Sequence, residues 1–162
     1  MRIPDYDYSQ NGYYFVTICT ENRERILAEI FPVGADDSVR PYGTFEHRLT
    51  TMGKMVEDGI RQMETHHSNV SVTKYVIMPN HIHMVIAIDD TAGGQSRPPL
   101  QKIVQGFKSI TTRNAWAYGR DHLWQRSFYD HVIRSEAEYL EIWQYMDENP
   151  AHWAEDEYYI SQ

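Results

Sequence analysis

Two histidines separated by a single residue lie in the apolar stretch YVIMPNHIHMVIAI, residues 75–88. Because side chains alternate between the two faces of a β-strand, His81 and His83 are predicted to point one way and Ile82 the other. Two neighbouring imidazoles can share one divalent metal ion. Paired histidines on a strand face are also common as plain solvent-facing residues, so the spacing alone indicates a metal site only weakly.

The segments on either side of the pair are predicted to form a hairpin. β-Branched residues are frequent in residues 70–78 and 81–88, which is typical of strands. Pro79 followed by Asn80 is a turn signal between them. The histidine pair therefore lies at the start of the second strand.

A helix near the end of the sequence carries a second group of candidates. Ser135 and Glu138 match the S-x-x-E capping box, in which the hydroxyl accepts from the third helical amide and the carboxylate reaches back. We expect the helix to run to about Asn149, because Pro150 cannot continue it. Tyr145 and Asn149 are then i, i+4 neighbours beside the apolar stripe.

The remaining segments alternate between strand and helix patterns. With one clear hairpin, this alternation predicts an α+β fold in which helices pack on an antiparallel sheet of four or five strands. The predicted segments are a buried central strand at 13–20, a short element at 26–30, a loop or irregular hairpin at 31–45, a helix at 49–65, a loop at 89–99, a helix at 100–118 and a strand at 124–133.

Composition limits the class of protein. The 162 residues are 41% hydrophobic, which predicts one domain over residues 1–162 with a sizeable core. The apolar runs are too short for a transmembrane helix, so we expect no membrane contact, and the N-terminus lacks the apolar core of a signal peptide. A single cysteine, Cys19, excludes an internal disulfide and is compatible with a cytoplasmic location.

Charge is distributed unevenly along the sequence. The net charge of −8 is the opposite of that of most nucleic-acid-binding proteins. Residues 97–134 nonetheless hold seven Lys and Arg against two acids, whereas residues 135–162 hold eight acids and no Lys or Arg. Lys102, Lys108 and Arg113 lie off the apolar stripe of their helix, where they form either a solvated face or a phosphate-binding surface.

Several of these motifs occur together in one known family. The strand MPNHIHMVI, the helix with FKS, the segment LWQRSFYDHVIR, the helix end EIWQYMDENP and the opening YDYSQNGYYFVTICTENRE resemble the REP-associated tyrosine transposases. These belong to the single-tyrosine HUH transposases, in which HUH stands for the His-hydrophobic-His motif. The resemblance runs from about Tyr6 to Asn149 and keeps the motifs in order.

The resemblance implies a ferredoxin-like antiparallel sheet flanked by helices, and a chemistry. It implies that His81 and His83 bind a divalent metal, Mg²⁺ or Mn²⁺, that Asn149 completes the metal site, and that Tyr145 is the catalytic nucleophile. The expected reaction cuts single-stranded DNA, leaving a 5′-phosphotyrosine link and a free 3′-OH, and can rejoin it without ATP. Both monomers and homodimers are compatible with it.

Relatives of this kind bind DNA hairpins, so the resemblance predicts a surface of basic and aromatic side chains. Single strands are commonly held in basic grooves with aromatic platforms on which bases stack. The candidate DNA-binding residues are Lys102, Lys108, Arg113, Arg126, His131 and Arg134, with Trp116, Trp124, Tyr6 and Tyr8 as aromatic partners.

Alternatives remain open at this level. Asn149 is shorter than the Gln or Glu frequent at that position in relatives, and Glu141 or Glu148 could bind the metal instead. Tyr129 and Tyr139 are rival nucleophiles. A metal-dependent hydrolase that activates water and forms no covalent adduct is one alternative function, and a catalytically silent nucleic-acid-binding module is the other.

Overall fold

The structure is a computed structural model that describes residues 12–32, 45–89 and 99–159. Predictions that concern Tyr6, Tyr8, residues 33–44 or residues 90–98 lie outside these ranges. Within them, the predicted α+β alternation of strands and helices is confirmed.

Six strands form two antiparallel sheets, and the strands are β1 (Gly12–Cys19), β2 (Ala28–Pro32), β3 (Phe45–Leu49), β4 (Val70–Ile77), β5 (His81–Ile88) and β6 (Tyr129–Ile133). The larger sheet has the order β4-β5-β1-β6, so β1 and β5 are its central strands. The smaller sheet pairs β2 with β3, and β2 overlaps the short element predicted at 26–30.

The three α-helices are α1 (Thr51–His66), α2 (Leu100–Ala115) and α3 (Glu136–Glu148). The Thr50 hydroxyl caps α1 by accepting from the amide of Gly53 at 3.0 Å. α2 ends three residues earlier than predicted, because Trp116–Tyr118 tightens into a 3₁₀ turn that stops at Gly119, whose φ is 76°. Among the described residues, no helix is long and apolar enough to cross a membrane.

The predicted strand at 124–133 is shorter in the structure, because β6 begins only at Tyr129. Trp124 makes an isolated β-bridge with Thr20, and its indole donates to the Thr111 hydroxyl at 2.8 Å. The carbonyls of the next three residues turn towards the ammonium of Lys108 instead of a neighbouring strand. The chain therefore leaves the sheet between Trp124 and β6.

One face of the larger sheet forms the main core. Alternate residues of β1 and β5, such as Val16, Ile18, Ile82 and Ile86, are fully buried there with apolar residues of α1 and α2. Each such aliphatic side chain contributes about 1.5–3 kcal/mol by leaving water. This face is where most of the hydrophobic stabilisation lies.

The opposite face carries α3 on a smaller apolar cluster around Val85, Ile133 and Met146. Met146 is the buried residue within the helix. A second attachment is the Lys74 ammonium, which lies 2.6 Å from the Asp147 carboxylate. The helix that carries the candidate tyrosine thus rests on a few contacts above the second face of the sheet.

The start of α3 departs in one detail from the predicted capping box. The Ser135 hydroxyl accepts from the amide of Glu138 at 3.1 Å, as predicted. The Glu138 carboxylate reaches back beyond Ser135, accepts from the amide of Arg134 at 2.9 Å and pairs with His131. It therefore ties the helix start to the end of β6.

Candidate active site

The two histidines lie side by side, as their spacing predicts. Both rings are buried, and the Nε2 atoms of His81 and His83 are 3.1 Å apart. Ile82 between them points into the main core on the other face. The pair stands on β5, a central strand, so the backbone on both sides holds it in register.

The outer nitrogen of each ring is held by a second residue. His81 Nδ1 lies 2.8 Å from Asn80 Oδ1. Because Asn80 Nδ2 donates to the Tyr158 carbonyl at 2.7 Å, its oxygen must accept from His81 Nδ1–H. His83 Nδ1 lies 2.8 Å from the Thr17 hydroxyl. Such partners fix ring orientation, so that the two Nε2 atoms face each other.

Two oxygen-bearing side chains complete this group. Asp156 Oδ2 lies 3.7 Å from His81 Nε2, and the donor atoms of His81, His83 and Asp156 all lie within 4.8 Å of one another. Asn149 is buried, and its Nδ2 donates to Asp156 Oδ2 at 2.9 Å. Within the described residues, Asn149 Oδ1 is buried and has no hydrogen-bond partner.

Sequence reasoning missed Asp156. It follows Pro150 in a segment without periodicity, and the acidic character of residues 135–162 was the available signal. The proposed substitutes Glu141 and Glu148 are exposed, and Glu148 accepts from Gln144 at 2.8 Å. Neither belongs to the group of potential ligands within the described part of the chain.

The electrostatics suit a divalent cation. Burial, followed by the nearby positive charge of Arg23, lowers the pKa of His81 to about 3. Burial and then His81 lower the pKa of His83 well below its usual value. Both imidazoles are therefore neutral, which is the form that binds metal. With a carboxylate and an unpaired amide oxygen beside them, the donor set fits Mn²⁺, or Mg²⁺ with further oxygen ligands.

Tyr145 lies beside this group, one helical turn before Asn149. Its ring centroid is 5.5 Å from that of His83, edge to face, and 6.3 Å from that of Phe15. The side chain is partly accessible, because 43% of the residue is exposed. The helix that carries Tyr145, α3, and the strand that carries the histidines, β5, come from one chain.

The environment of Tyr145 keeps its hydroxyl protonated. Burial, followed by the negative charges of Asp156 and Glu157, raises the pKa of Tyr145 to about 12, and a hydrogen bond with Asn149 opposes this shift. At neutral pH the phenol is therefore a weak nucleophile until its proton is removed.

The rival tyrosines of the sequence differ in their positions. Tyr139 packs on Tyr13, with ring centroids 5.2 Å apart, and its hydroxyl donates to Thr73. Tyr129 is exposed on β6 and pairs in register with Thr17, so it lies on the same face of the sheet as His83, two strands away from β5. A third tyrosine, Tyr158, was not considered from the sequence, and its ring centroid is 4.5 Å from that of His81.

The candidate DNA-binding residues divide into exposed and engaged side chains. Lys102, Arg113, Arg126 and Arg134 are exposed. Arg113 and Arg126 line a surface groove of about 550 Å³ together with Trp116. This groove therefore combines two cations with an exposed aromatic ring.

Two of the candidates have internal partners. The Lys108 ammonium donates to the carbonyls of Gln125, Arg126 and Ser127 at 2.6, 3.0 and 3.4 Å. It therefore fastens the segment before β6 to α2. His131 pairs with the Glu138 carboxylate at the start of α3.

Comparison with known proteins identifies the family. The family profile described as "Transposase IS200 like" matches residues 46–149, which is more than half of the chain. The chain therefore belongs to the IS200-like transposases. Its function is DNA binding related to transposition, and its enzyme class is that of DNA strand cleavage and rejoining.

Individual relatives agree with this placement. The structure of a REP-associated tyrosine transposase bound to a REP hairpin is similar, with a TM-score of 0.63 and 19% identity over 93% of this chain and 73% of that chain. A protein of Deinococcus radiodurans assigned as a transposase has a TM-score of 0.50 and 16% identity over 91% and 96%. An uncharacterised Haemophilus influenzae protein is 30% identical over 99% of this chain and 92% of its own length.

Proposed function

We propose that this transposase cuts and rejoins single-stranded hairpin DNA through a covalent bond between Tyr145 and the 5′-phosphate. In this proposal, His81, His83 and Asn149 hold a divalent metal, Mg²⁺ or Mn²⁺. The observation that carries the proposal is the position of Tyr145, whose ring rests against His83. A partly exposed tyrosine beside two buried, neutral imidazoles supports the assignment of a nucleophile next to a cation site.

The bonds that change are those of one phosphodiester. The Tyr145 oxygen forms a bond to phosphorus, the bond from phosphorus to the 3′-oxygen breaks, and that oxygen takes up a proton and leaves as a 3′-OH. A metal bound at this site supplies a Lewis acid that polarises the phosphate. Because the pKa of Tyr145 is raised, its proton passes to solvent water as the new bond forms, and the departing 3′-oxygen takes up one proton from water in exchange. The reverse reaction restores the DNA.

The geometry supports a complete site within one chain. α3 places Tyr145 against His83 of its own β5, and Asn149 of the same helix reaches Asp156. A monomer therefore has every residue that the proposal needs. A homodimer that exchanges α3 would require this helix to leave its contacts with Val85 and Lys74.

DNA recognition is proposed for the groove lined by Arg113, Arg126 and Trp116. Arginine contacts phosphate through several N–H donors, and an exposed indole offers a stacking surface. A solved relative is bound to a REP hairpin, which supports a hairpin as the ligand here. Lys102, His131 and Arg134 are further proposed contacts, whereas Lys108 supports the groove from within.

The test of the chemistry is a covalent adduct assay. The protein is mixed with hairpin oligonucleotides and Mn²⁺ or Mg²⁺, and the products are separated on denaturing gels. We expect a metal-dependent protein–DNA band that is lost in Tyr145→Phe and His81→Ala and retained in Tyr139→Phe, a matched tyrosine on the same helix. Cleavage without a band that persists in Tyr145→Phe would favour the hydrolase, and binding without cleavage the silent module.

The test of the groove is the salt dependence of hairpin affinity. Arg113→Glu and Arg126→Glu should weaken binding and reduce the salt slope by about one per lost phosphate contact. Arg61→Glu is the matched control, since Arg61 is an exposed arginine on α1. Unchanged affinity and slope in both groove variants would contradict this assignment.

A further inference from the structure

We propose that Asp156 is a protein ligand of the metal, so that the segment after α3 forms part of the metal site. The inference rests on the proposed function, because it concerns the same metal. It adds a carboxylate that lies outside the helix carrying Tyr145 and Asn149. The resulting donor set is two imidazoles, one amide oxygen and one carboxylate.

The first argument is distance. A divalent ion with bonds of about 2.2 Å holds neighbouring ligand atoms roughly 3.1–3.8 Å apart for angles between about 90° and 120°. The Nε2 atoms of His81 and His83 are 3.1 Å apart, and Asp156 Oδ2 is 3.7 Å from His81 Nε2. Both distances are those of neighbouring ligands around one ion, and all three donor atoms lie within 4.8 Å of one another.

The second argument is the cost of burying a carboxylate. The Asp156 side chain is 1% exposed, and a buried charge requires a compensating charge or strong hydrogen bonds. Its hydrogen-bond donors within the described residues are neutral, namely Asn149 Nδ2 at 2.9 Å and the amide of Tyr158 at 2.8 Å. A divalent cation would place positive charge directly beside this carboxylate.

The third argument is how the segment is held against the site. Asn80 is fully buried and accepts from His81 Nδ1 while donating to the Tyr158 carbonyl. The Tyr158 amide donates in turn to Asp156 Oδ1. One chain of hydrogen bonds thus joins the His81 ring, the turn before β5 and the carboxylate. Metal binding and the docking of residues 153–159 must therefore favour each other.

The experiment is Mn²⁺ titration by calorimetry in the absence of DNA. Asp156→Asn keeps the side-chain shape and removes the charge, and we expect it to weaken Mn²⁺ binding on the order of 100-fold. Glu155 is the neighbouring residue, and its side chain is 79% exposed. Glu155→Gln removes the same amount of charge and should leave the Mn²⁺ affinity within about threefold of the wild type.

The outcomes separate this inference from the proposed function. If Asp156→Asn binds Mn²⁺ as tightly as the wild type while His81→Ala does not bind, Asp156 is not a ligand and the histidine site stands. If His81→Ala also binds as the wild type does, the proposed metal site itself is wrong. If both Asp156→Asn and Glu155→Gln lose the same Mn²⁺ affinity, the effect comes from the net charge near the site and not from ligation. This result would overturn the inference.

Two further measurements guard against a variant that is merely misfolded. Mn²⁺ should slow amide hydrogen exchange of residues 153–159 in the wild type and have no such effect in Asp156→Asn. Asp156→Cys should bind Cd²⁺ more tightly than Asp156→Asn does, because thiolate is the ligand that soft metals prefer. Equal exchange with and without Mn²⁺ in the wild type, or equal Cd²⁺ affinities in the two variants, would contradict direct ligation.

Discussion

The two faces of the larger sheet come from the same strands and differ in what they bury. On the face towards α1 and α2, neighbouring strands contribute Val16, Ile18 and Ile82 to an apolar core. On the face towards α3, the same strands bury Thr17, His81 and His83. Alternate residues along one strand therefore serve stability on one side and the proposed chemistry on the other.

The difference is also energetic. Removing an apolar side chain from water stabilises the fold, whereas burying a polar group costs about 1–3 kcal/mol unless it finds a partner. Each buried imidazole has such a partner on its outer nitrogen, in Asn80 and Thr17. The Nε2 atoms of the two rings face each other and Asp156. The site face therefore has polar atoms that can bind a ligand, whereas the core face is apolar.

The largest expected effect is on the site face. Tyr145→Phe removes only a hydroxyl from a partly exposed ring, so the free energy of unfolding should change little. Strand cleavage should fall by at least about 1000-fold, because the group that forms the covalent bond is gone. Single-turnover cleavage of a hairpin oligonucleotide measures the rate, and urea unfolding checks stability. A residual rate within tenfold of the wild type would remove Tyr145 as the nucleophile.

The next effect is on the core face of the same strand that carries the histidines. Ile86→Ala should lower the free energy of unfolding by about 2–5 kcal/mol, because Ile86 is fully buried and its loss leaves a cavity. Mn²⁺ affinity of the folded protein should stay close to that of the wild type. If Ile86→Ala lost Mn²⁺ affinity but kept its free energy of unfolding, the core face would contribute directly to metal binding, and the two faces would not have separate roles.

A reciprocal pair of substitutions sharpens the comparison at adjacent positions of β1. Thr17→Val removes the partner of His83 Nδ1 and should weaken Mn²⁺ binding about tenfold. Val16→Thr places a hydroxyl in the apolar core and should cost about 1–3 kcal/mol of stability with unchanged Mn²⁺ affinity. Calorimetric titration and urea unfolding of both variants provide the measurement. The opposite pattern would contradict the division between the faces.

Sequence alone could predict the parts of the molecule whose signal is local. Strand alternation is enough to place His81 and His83 on one face, and the capping box with Pro150 is enough to locate α3. Asp156 gave no local signal, since it reaches the site only because the chain folds back after α3. From the sequence, Lys108 is predicted to be available for DNA, because a lysine off the apolar stripe of a helix is usually exposed. In the structure its ammonium donates to three backbone carbonyls, which no local sequence pattern indicates.

The smallest expected effect concerns the attachment of α3. The amide of Arg134, followed by His131, lowers the pKa of the Glu138 carboxyl below its usual 4.5. Because the folded pKa is the lower one, Glu138 stabilises the protein above about pH 4.5 and loses this contribution as the pH falls through the folded pKa. Glu138→Gln should therefore lower stability by about 0.5–1 kcal/mol at pH 7.

The control for this substitution is Glu136→Gln, an exposed carboxylate in the same first turn of α3. Urea unfolding at pH 7 and again well below pH 4.5 should show a difference between wild type and Glu138→Gln that disappears in acid. A difference that Glu136→Gln reproduces would assign the effect to the helix dipole instead of the pairing, and one that persists in acid would exclude the carboxylate charge as its cause.

The hydrogen bond between Thr17 and His83 spans 66 positions of the chain, so it can form only after β5 has been synthesised. Contacts between distant segments form late, because the intervening chain must first close into a loop. β1 and β5 can pair while the ribosome is still translating, but Tyr145 and Asp156 are added only afterwards. A growing chain therefore contains the strands of its core before the proposed nucleophile, and under the proposed function an incomplete chain cannot cut DNA.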